Sequence, residues 1–236
     1  MKIAVVNGNN RHGSTWHCMD LVKQELEKYE EIQTTEFFLP RDMPHFCNGC
    51  FSCLMNGEHT CPHFESVAPI ATALLDADLI IVTSAIYAMD ISGQLKALLD
   101  HLCYMWFSHR PNPRMFNKVG LIITTTAGAG LGHAAKTIHN TMKFWGVKRI
   151  FVHKNAVAAM KWGDVSVKKQ KQIQKRTAVM AKRIAKAIKK VDRLTVPLFS
   201  RVFFKMMTGM MKKNTWNPCD RKHWEDQGWL SGASPF

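Results

Sequence analysis

The sequence lacks long hydrophobic runs and the two common nucleotide-binding fingerprints. No apolar stretch reaches the ~20 residues that a membrane-spanning helix needs. The loop after the first predicted strand is neither Gly-x-Gly-x-x-Gly nor a loop ending in Gly-Lys-Ser/Thr. This argues against a dinucleotide fingerprint and against a nucleoside triphosphatase. The N-terminus does not resemble a signal peptide, because Lys2 leads directly into a short strand, so we expect a cytoplasmic location.

Acidic residues are scarce in one part of the chain. Residues 161–222 contain 18 Lys/Arg and 3 Asp/Glu, whereas the remaining residues contain 14 and 15. A basic segment of this kind can contact nucleic acid or an anionic membrane, or it can form a solvated helix face. Because the sequence contains no nucleic-acid-binding motif, we expect no nucleic-acid partner and leave the other two interpretations open.

The first 22 residues predict a strand, a polar loop and a helix in direct succession. Ile3 to Val6 form the apolar run, and residues 7–14 form the loop. Backbone N–H groups converge at a helix N-terminus, where the helix dipole favours an anion, so this order predicts a phosphate site. An ordinary capped connection between a strand and a helix is the alternative. The loop supplies glycines for close approach and donors from Asn9, Arg11, Ser14 and Thr15.

Two later segments repeat this order of strand, small-residue loop and helix. Residues 78–83 and 119–126 are the apolar runs that begin them. This repetition predicts a doubly wound α/β fold, in which ligands bind at the carboxyl ends of the strands. We therefore expect one site formed by three loops, at residues 9–15, 84–89 and 125–130. Further strands are predicted at residues 33–39 and 150–156, and further helices at residues 67–75 and 165–191.

Four of the seven cysteines are clustered in one loop. They are Cys47, Cys50, Cys53 and Cys61, separated by two, two and seven residues. Thiolates this close can bind one iron–sulfur cluster, and four thiolates also satisfy a tetrahedral zinc ion. Metal-free thiols that cover a neighbouring site are a third interpretation. We interpret His59 and His63 as loop histidines rather than ligands.

The C-terminal part of the sequence differs from the rest. We divide the chain into a domain of residues 1–191 and an extension of residues 192–236, which combines an amphipathic helix with a Trp-rich tail. Residues 194–213 have a narrow polar stripe, so their broad apolar face needs a partner. That partner is the same domain, a second subunit or an anionic bilayer. Residues 101–116 form a connecting segment rich in aromatic residues, which we call the aromatic connection. It either shapes a substrate entrance or packs at a subunit contact.

Three motifs give the chain a family resemblance. The first loop is Gly-Asn-Asn-Arg-His-Gly-Ser-Thr at residues 8–15, the second is Thr-Ser-Ala-Ile-Tyr at residues 83–87, and the third is Thr- and Gly-rich at residues 124–130. With Leu-Lys-Ala-Leu-Leu-Asp at residues 95–100, the chain resembles the flavodoxin-like NADPH-dependent FMN reductase family and, within it, the iron–sulfur flavoproteins. The resemblance covers about residues 1–160. Asn-Asn in the first loop and Ser84 in the second depart from the family pattern.

The resemblance implies a flavodoxin-like, doubly wound, five-stranded parallel sheet with helices on both faces, followed by a helical C-terminal extension. It implies FMN as the cofactor, NAD(P)H as the donor and a quinone, flavin or small electrophile as the acceptor, with no essential catalytic side chain. The residues implied to bind FMN are Asn9, Arg11, Gly13, Ser14 and Thr15, then Ser84, Ala85, Ile86, Tyr87, Ala88 and Met89, and then Thr125, Thr126, Ala127, Gly128 and Gly130.

The resemblance also bears on the thiols and on partners. It makes the four clustered cysteines candidate ligands of a 4Fe–4S cluster, with a ferredoxin as a candidate electron donor. We also expect a homodimer or a homotetramer. Two other classes stay open: an electron carrier similar to flavodoxin with no substrate of its own, and a flavin-free binding protein on the same fold.

Overall fold

Five parallel strands form a single sheet in a computed structural model that describes residues 1–159 and 161–236. The strands lie in the order β2-β1-β3-β4-β5. Each predicted apolar run becomes a strand, because parallel strands covered on both faces need continuous Val, Ile and Leu. The strands are β1 (Lys2–Asn7), β2 (Gln33–Phe38), β3 (Leu79–Ala85), β4 (Val119–Thr126) and β5 (Arg149–Ala156).

Helices cover both faces of the sheet. They are α1 (Ser14–Glu27), α2 (Ser52–Met55), α3 (Phe64–Asp76), α4 (Gly93–His101), α5 (Leu131–Phe144), α6 (Val167–Ile188), α7 (Leu198–Lys212) and α8 (Pro218–Asp226). Helices α1 and α6 pack on one face, and α3, α4 and α5 pack on the other. The predicted flavodoxin-like architecture is confirmed.

Alternation along each strand builds two separate cores. Ile3 and Val5 face α1 and α6, whereas Ala4 and Val6 face the opposite layer. All four side chains are almost fully buried, and burial of each Val or Ile contributes about 1.5–3 kcal/mol relative to exposure. This burial fixes the register, because a slip by one residue would exchange the two faces.

The register brings the candidate loops to one edge of the sheet. In β1, Asn7 pairs with Thr83 of β3, and in β4, Thr125 pairs with Ala85 of β3. The strand order reverses beside β1, which lies between β2 and β3. Such a reversal opens a crevice between the loops that diverge to opposite faces.

The C-terminal extension packs against the chain's own domain. Phe204 of α7 stacks on Trp224 of α8 with ring centroids 4.9 Å apart, and both join Phe107 and Phe116 in a third core. The aromatic connection at residues 101–116 is therefore an internal packing surface for the extension. The domain boundary at residue 191 stays a prediction.

The opposite face of α7 is apolar and exposed. Leu198, Val202, Met206 and Met210 recur at intervals of four residues and are all exposed. Among the described residues, no helix has the length and the hydropathy to span a bilayer.

Candidate functional site

The first loop is fixed to the end of β3 by backbone contacts. The Gly8 N–H donates to the carbonyl oxygen of Thr83 at 2.9 Å. A Cβ at Gly8 would lie 2.6 Å from that same oxygen, so this approach requires glycine. The Asn9 side chain then accepts the Arg11 N–H at 2.9 Å. These contacts turn the chain sharply into α1.

The N-terminus of α1 is open. Its N-cap is Gly13, and within the described part of the chain no side chain caps the helix. The first N–H groups of a helix have no partner inside the helix, so they point outward with the positive end of the dipole. A Cβ at Gly13 would meet no described atom within 4 Å. Gly13, Ser14 and Thr15 all line a cleft at this helix end.

The buried side chain of Ser14 also indicates an anion site at this helix end. The residue is 8% exposed, and its Oγ is buried with no hydrogen-bond partner among residues 1–159 and 161–236. Buried hydroxyls in folded proteins are nearly always paired, because an unpaired one costs about 1–3 kcal/mol. An orphan hydroxyl at an open helix N-terminus is the arrangement expected where a phosphate binds.

The second loop is a tight hairpin. Tyr87 and Asp90 exchange two backbone hydrogen bonds of 3.1 and 3.0 Å. Between them, Ala88 and Met89 have φ values of 47° and 70°, in the left-handed region that non-glycine residues rarely adopt. The turn leaves Tyr87 46% exposed. It therefore projects an aromatic ring beside the open helix end.

The third loop packs against the other two. Thr125 and Thr15 share a hydrogen bond of 2.6 Å between their hydroxyls. Gly130 has a φ of 91°, and a Cβ there would lie 2.8 Å from Ile86 and 2.9 Å from the Met89 carbonyl oxygen. The conformation and the crowding both require glycine at this position. Gly130 thus determines how closely the second and third loops approach each other.

A cleft of about 250 Å³ lies between the three loops. Eleven of the sixteen predicted FMN residues line it: Asn9, Arg11, Gly13, Ser14, Thr15, Ala85, Ile86, Tyr87, Thr125, Thr126 and Ala127. The other five, Ser84, Ala88, Met89, Gly128 and Gly130, lie outside its lining. Of these, Ser84 is fully buried, and its hydroxyl accepts the Ser92 N–H at 3.1 Å.

Two lining residues escaped the sequence analysis. Val157 and Ala159 follow β5 and close one side of the cleft. The Val157 N–H donates to the Thr126 carbonyl at 2.9 Å, which ties this segment to the third loop. The signal was available, because β5 was predicted and its carboxyl end must lie beside that of β4 in a parallel sheet.

A second cleft of about 430 Å³ adjoins the first and shares Arg11 and Gly13 with it. Its wall includes Lys161 and Trp162, and His17 stacks on Trp162 with ring centroids 5.3 Å apart. Arg11 and Lys161 therefore line the clefts beside the open helix end, where their positive charges favour an anion.

The cysteine loop lies in a different part of the molecule. Cys47 and Cys50 are exposed, Cys53 is on α2, and Cys61 comes just before α3. A hydrogen bond from the Cys103 thiol, assisted by the charge of Arg110, lowers the pKa of the Cys53 thiol. The sequence analysis missed Cys103, which follows α4 and meets Cys53 only through the fold.

Arg110 and Asp220 attach this loop to the C-terminal extension. Arg110 Nη1 donates to Asp220 Oδ1 at 2.6 Å and to the Leu54 carbonyl at 3.0 Å. Its Nη2 donates to the Cys53 carbonyl. Asp220 is fully buried and also accepts from His109 and Asn217. A buried ion pair therefore holds the thiol-bearing segment and the Trp-rich tail together.

Burial raises the pKa of the Cys61 thiol, and the charges of Cys53, Cys50 and Cys47 act in the same direction. In the described chain, however, the one group of three or more potential ligands whose atoms all lie within 4.8 Å of one another is Cys61, His63 and His101. His63 is therefore not a free loop residue, because its Nδ1 lies 2.9 Å from His101 Nε2.

The strand order and the cleft beside β1 define a flavodoxin-like α/β protein. The chain belongs to the NADPH-dependent FMN reductase family, whose model matches residues 1–164. This membership confirms the NAD(P)H-dependent flavoenzyme class predicted from the sequence, with FMN as the cofactor of the family.

Similar proteins carry the names of iron–sulfur flavoproteins and FMN-dependent reductases. An iron–sulfur flavoprotein of Archaeoglobus fulgidus is 22% identical over 178 residues, which cover 75% of this chain and 78% of that protein. One of Methanocaldococcus jannaschii is 32% identical over 145 residues, which cover 59% and 70%. An FMN-dependent NADH-azoreductase of Bacillus anthracis, in complex with FMN, matches with a TM-score of 0.57 at 12% identity, over 78% of this chain and 100% of that one. The last likeness shows the fold alone.

Proposed function

We propose that this chain is an FMN-dependent oxidoreductase that takes electrons from NAD(P)H and passes them to a small acceptor. The observation that carries the proposal is the open N-terminus of α1 with the buried, unpartnered Ser14 hydroxyl in front of it. These groups fit a phosphate monoester, because the backbone N–H groups and the hydroxyl are donors and the dipole favours a dianion.

The remaining walls of the cleft fit a flat, partly apolar ring. Ile86 and Tyr87 offer apolar and aromatic surface on one side. Thr125 and Thr126 also line the cleft, and we propose that they offer polar surface to a ring edge. FMN supplies the electron-transfer chemistry when it is bound, and the protein supplies position and electrostatics. We propose that these residues orient the ring and that no side chain acts as an essential acid.

Ser14→Ala tests this proposal at the phosphate. Hydrogen bonds to charged groups contribute about 1.5–3 kcal/mol, so we expect the dissociation constant for FMN to rise about 10- to 100-fold. Riboflavin is the matched control ligand, because it has the same ring and no phosphate. Its weaker affinity is expected to be unchanged by the substitution. Flavin fluorescence quenching measures both constants on the purified full-length chain.

The outcomes separate a phosphate site from a general effect on folding. An equal loss of affinity for FMN and riboflavin would contradict a phosphate role for Ser14. Unchanged affinity for both would place the phosphate elsewhere. Failure of the wild-type chain to take up FMN would support the flavin-free alternative.

The nature of the acceptor is a separate proposal. Tyr87 lines the cleft and is 46% exposed, which leaves room for a small planar acceptor beside the ring. We propose a quinone, a second flavin or a small electrophile. Steady-state oxidation of NADPH in the presence of a quinone is the expected result. A carrier similar to flavodoxin would turn over only after a partner reductase is added.

Single-electron transfer through the thiols is a further part of the proposal. The relatives are named iron–sulfur flavoproteins, and the four clustered thiols are separated by only two, two and seven residues along the chain. A 4Fe–4S cluster on Cys47, Cys50, Cys53 and Cys61 would pass electrons singly, with a ferredoxin as donor. Iron and acid-labile sulfide assays on anaerobically purified protein test it. We also propose a homodimer or homotetramer, which light scattering during gel filtration measures.

A further inference from the structure

A cleft of about 810 Å³ lies between α7 and the end of the chain. Helix α7 forms one wall, and residues between 229 and 236 form the other. Phe204 and Trp229, whose rings meet edge to face with centroids 5.2 Å apart, give the cleft an aromatic lining. This cleft is separate from the one at the strand ends, because the two have no lining residue in common.

The charged residues of this cleft all have one sign. Arg201, Lys205 and Lys212 of α7 line it, and no acidic residue of the described chain does. All three cationic residues are exposed. Residues 194–219 contain no Asp or Glu. Three positive charges around one cleft, with no carboxylate to balance them, favour an anion.

The cations border the exposed apolar face of α7. Arg201 directly precedes Val202, and Lys205 directly precedes Met206. Successive residues of a helix point about 100° apart, so the two cations lie along one flank of the face to which Val202 and Met206 belong. The cleft and the apolar face are therefore neighbours on the same helix.

An anionic bilayer fits both of these neighbouring surfaces. A helix that lies in the membrane interface buries apolar side chains at the acyl boundary, and the cations on its flank reach the headgroups. Trp216, which is 65% exposed just beyond the end of α7, is of the residue type enriched at that boundary. A soluble anion such as inorganic phosphate accounts for the charges but not for the apolar face.

We propose that the cleft binds the phosphate-bearing headgroup of one anionic phospholipid while the apolar face of α7 enters the same leaflet. Arg201, Lys205 and Lys212 supply charged donors to the headgroup. Phe204 and Trp229 offer apolar surface to the glycerol and the first acyl carbons. The lipid site is independent of the FMN proposal, because it uses no residue of the strand-end cleft or of the cysteine loop.

Vesicle sedimentation of matched variants tests the charges. The full-length chain is mixed with phosphatidylcholine vesicles that contain or lack phosphatidylserine, and we expect it to bind only those that contain it. Each cation near an anionic surface changes partitioning about fivefold, so Arg201→Gln with Lys205→Gln is expected to weaken binding about 30-fold. Lys171→Gln with Lys175→Gln removes the same charge from exposed positions on α6 and is the control. It is expected to stay within about threefold of the wild type, because salt screens charges that lie more than about 10 Å from the surface.

A short-chain lipid tests the cleft directly. Dihexanoyl phosphatidylserine is titrated below its micelle concentration in a calorimeter, and we expect one molecule to bind per chain. Ala233→Trp places a bulky side chain in the lining of the cleft without changing its charge, so it is expected to abolish this binding. Ser231→Trp, at an exposed position of the same segment outside the lining, is the control and is expected to bind normally.

Three outcomes would overturn the proposal. Equal losses of vesicle binding in the two double variants would show a diffuse attraction to net charge. Equal binding of the short-chain lipid by the two Trp variants would place the lipid outside the cleft. Binding of the short-chain lipid without sedimentation on anionic vesicles would assign the cleft to a free amphiphile. None of these measurements requires bound FMN or a metal cluster, so each outcome leaves the proposed function unaffected.

Discussion

The strand-end cleft and the cysteine loop are both built from loops, but different contacts hold them. In the cleft, each loop directly follows a buried strand, and the pairing of β1, β3 and β4 brings the three loops together. In the cysteine loop, Arg110 donates to the Leu54 carbonyl and pairs with Asp220, which lies in the C-terminal extension. The first region depends on strand register, and the second depends on side chains from distant parts of the chain.

This difference determines which substitutions would disrupt each region. A parallel sheet with two buried faces tolerates few alternative registers, so its loops are fixed as firmly as its core. A loop held by one buried ion pair loses its support when one partner is removed, because the other charge remains buried and uncompensated. Substitutions in one region should therefore leave the other intact.

The largest expected effect is that of Asp220→Ala. The Arg110–Asp220 pair is buried, with side chains 7% and 0% exposed, and loss of one partner of such a pair costs about 3–5 kcal/mol. We expect the free energy of unfolding to fall by that amount and the Cys53 thiol to react faster with a thiol reagent. FMN affinity is expected to stay within twofold.

Asp226→Ala is the matched control, because Asp226 lies on the same helix and pairs with Lys222 at the surface. An exposed pair contributes about 0–1 kcal/mol. Urea unfolding and thiol kinetics on both variants check the prediction. A loss of FMN affinity in Asp220→Ala, with none in Asp226→Ala, would show that the cleft and the cysteine loop form one cooperative unit. It would contradict the view that independent contacts hold the two regions.

An intermediate effect is expected for Gly130→Ala in the cleft. The added Cβ would lie 2.8 Å from Ile86 in a backbone with a φ of 91°, and strain of this kind costs about 1–3 kcal/mol. We expect weaker FMN binding and unchanged reactivity of the Cys53 thiol. Gly132→Ala is the control, since Gly132 is not among the residues predicted to bind FMN and a Cβ there meets no described atom within 4 Å. Equal FMN binding by the two variants would show that the second and third loops do not need their close contact.

The smallest effect on stability is expected on the exposed face of α7. Val202→Glu with Met206→Glu changes residues that are 60% and 48% exposed, so the free energy of unfolding should change by less than about 0.5 kcal/mol per site. Peripheral membrane contact stays a prediction from the sequence. If it holds, the wild-type chain sediments with anionic vesicles and the double variant does not. No sedimentation of the wild-type chain would remove the membrane interpretation and leave a subunit contact.

Local patterns were sufficient to predict the parts of the site that adjoin strands. The open end of α1 follows from a strand, a glycine loop and a helix in sequence, and the second and third loops follow from the same order. The hairpin that removes Ala88 and Met89 from the cleft lining could not be predicted, because it depends on left-handed φ values at two ordinary residues. Ser84 also lies outside that lining, and its buried hydroxyl accepts the Ser92 N–H.

By itself, the sequence determined the sheet, the layers and the edge at which the candidate site lies, because hydrophobic periodicity and loop composition are encoded over a few neighbouring residues. Only the tertiary structure decided which side chains surround the thiols. Cys103, His101, Arg110 and Asp220 are separated from the cysteine loop by long stretches of chain, and no local pattern links them to it. Their meeting depends on how α4, the aromatic connection and the C-terminal extension pack. That packing is a property of the whole core rather than of any segment.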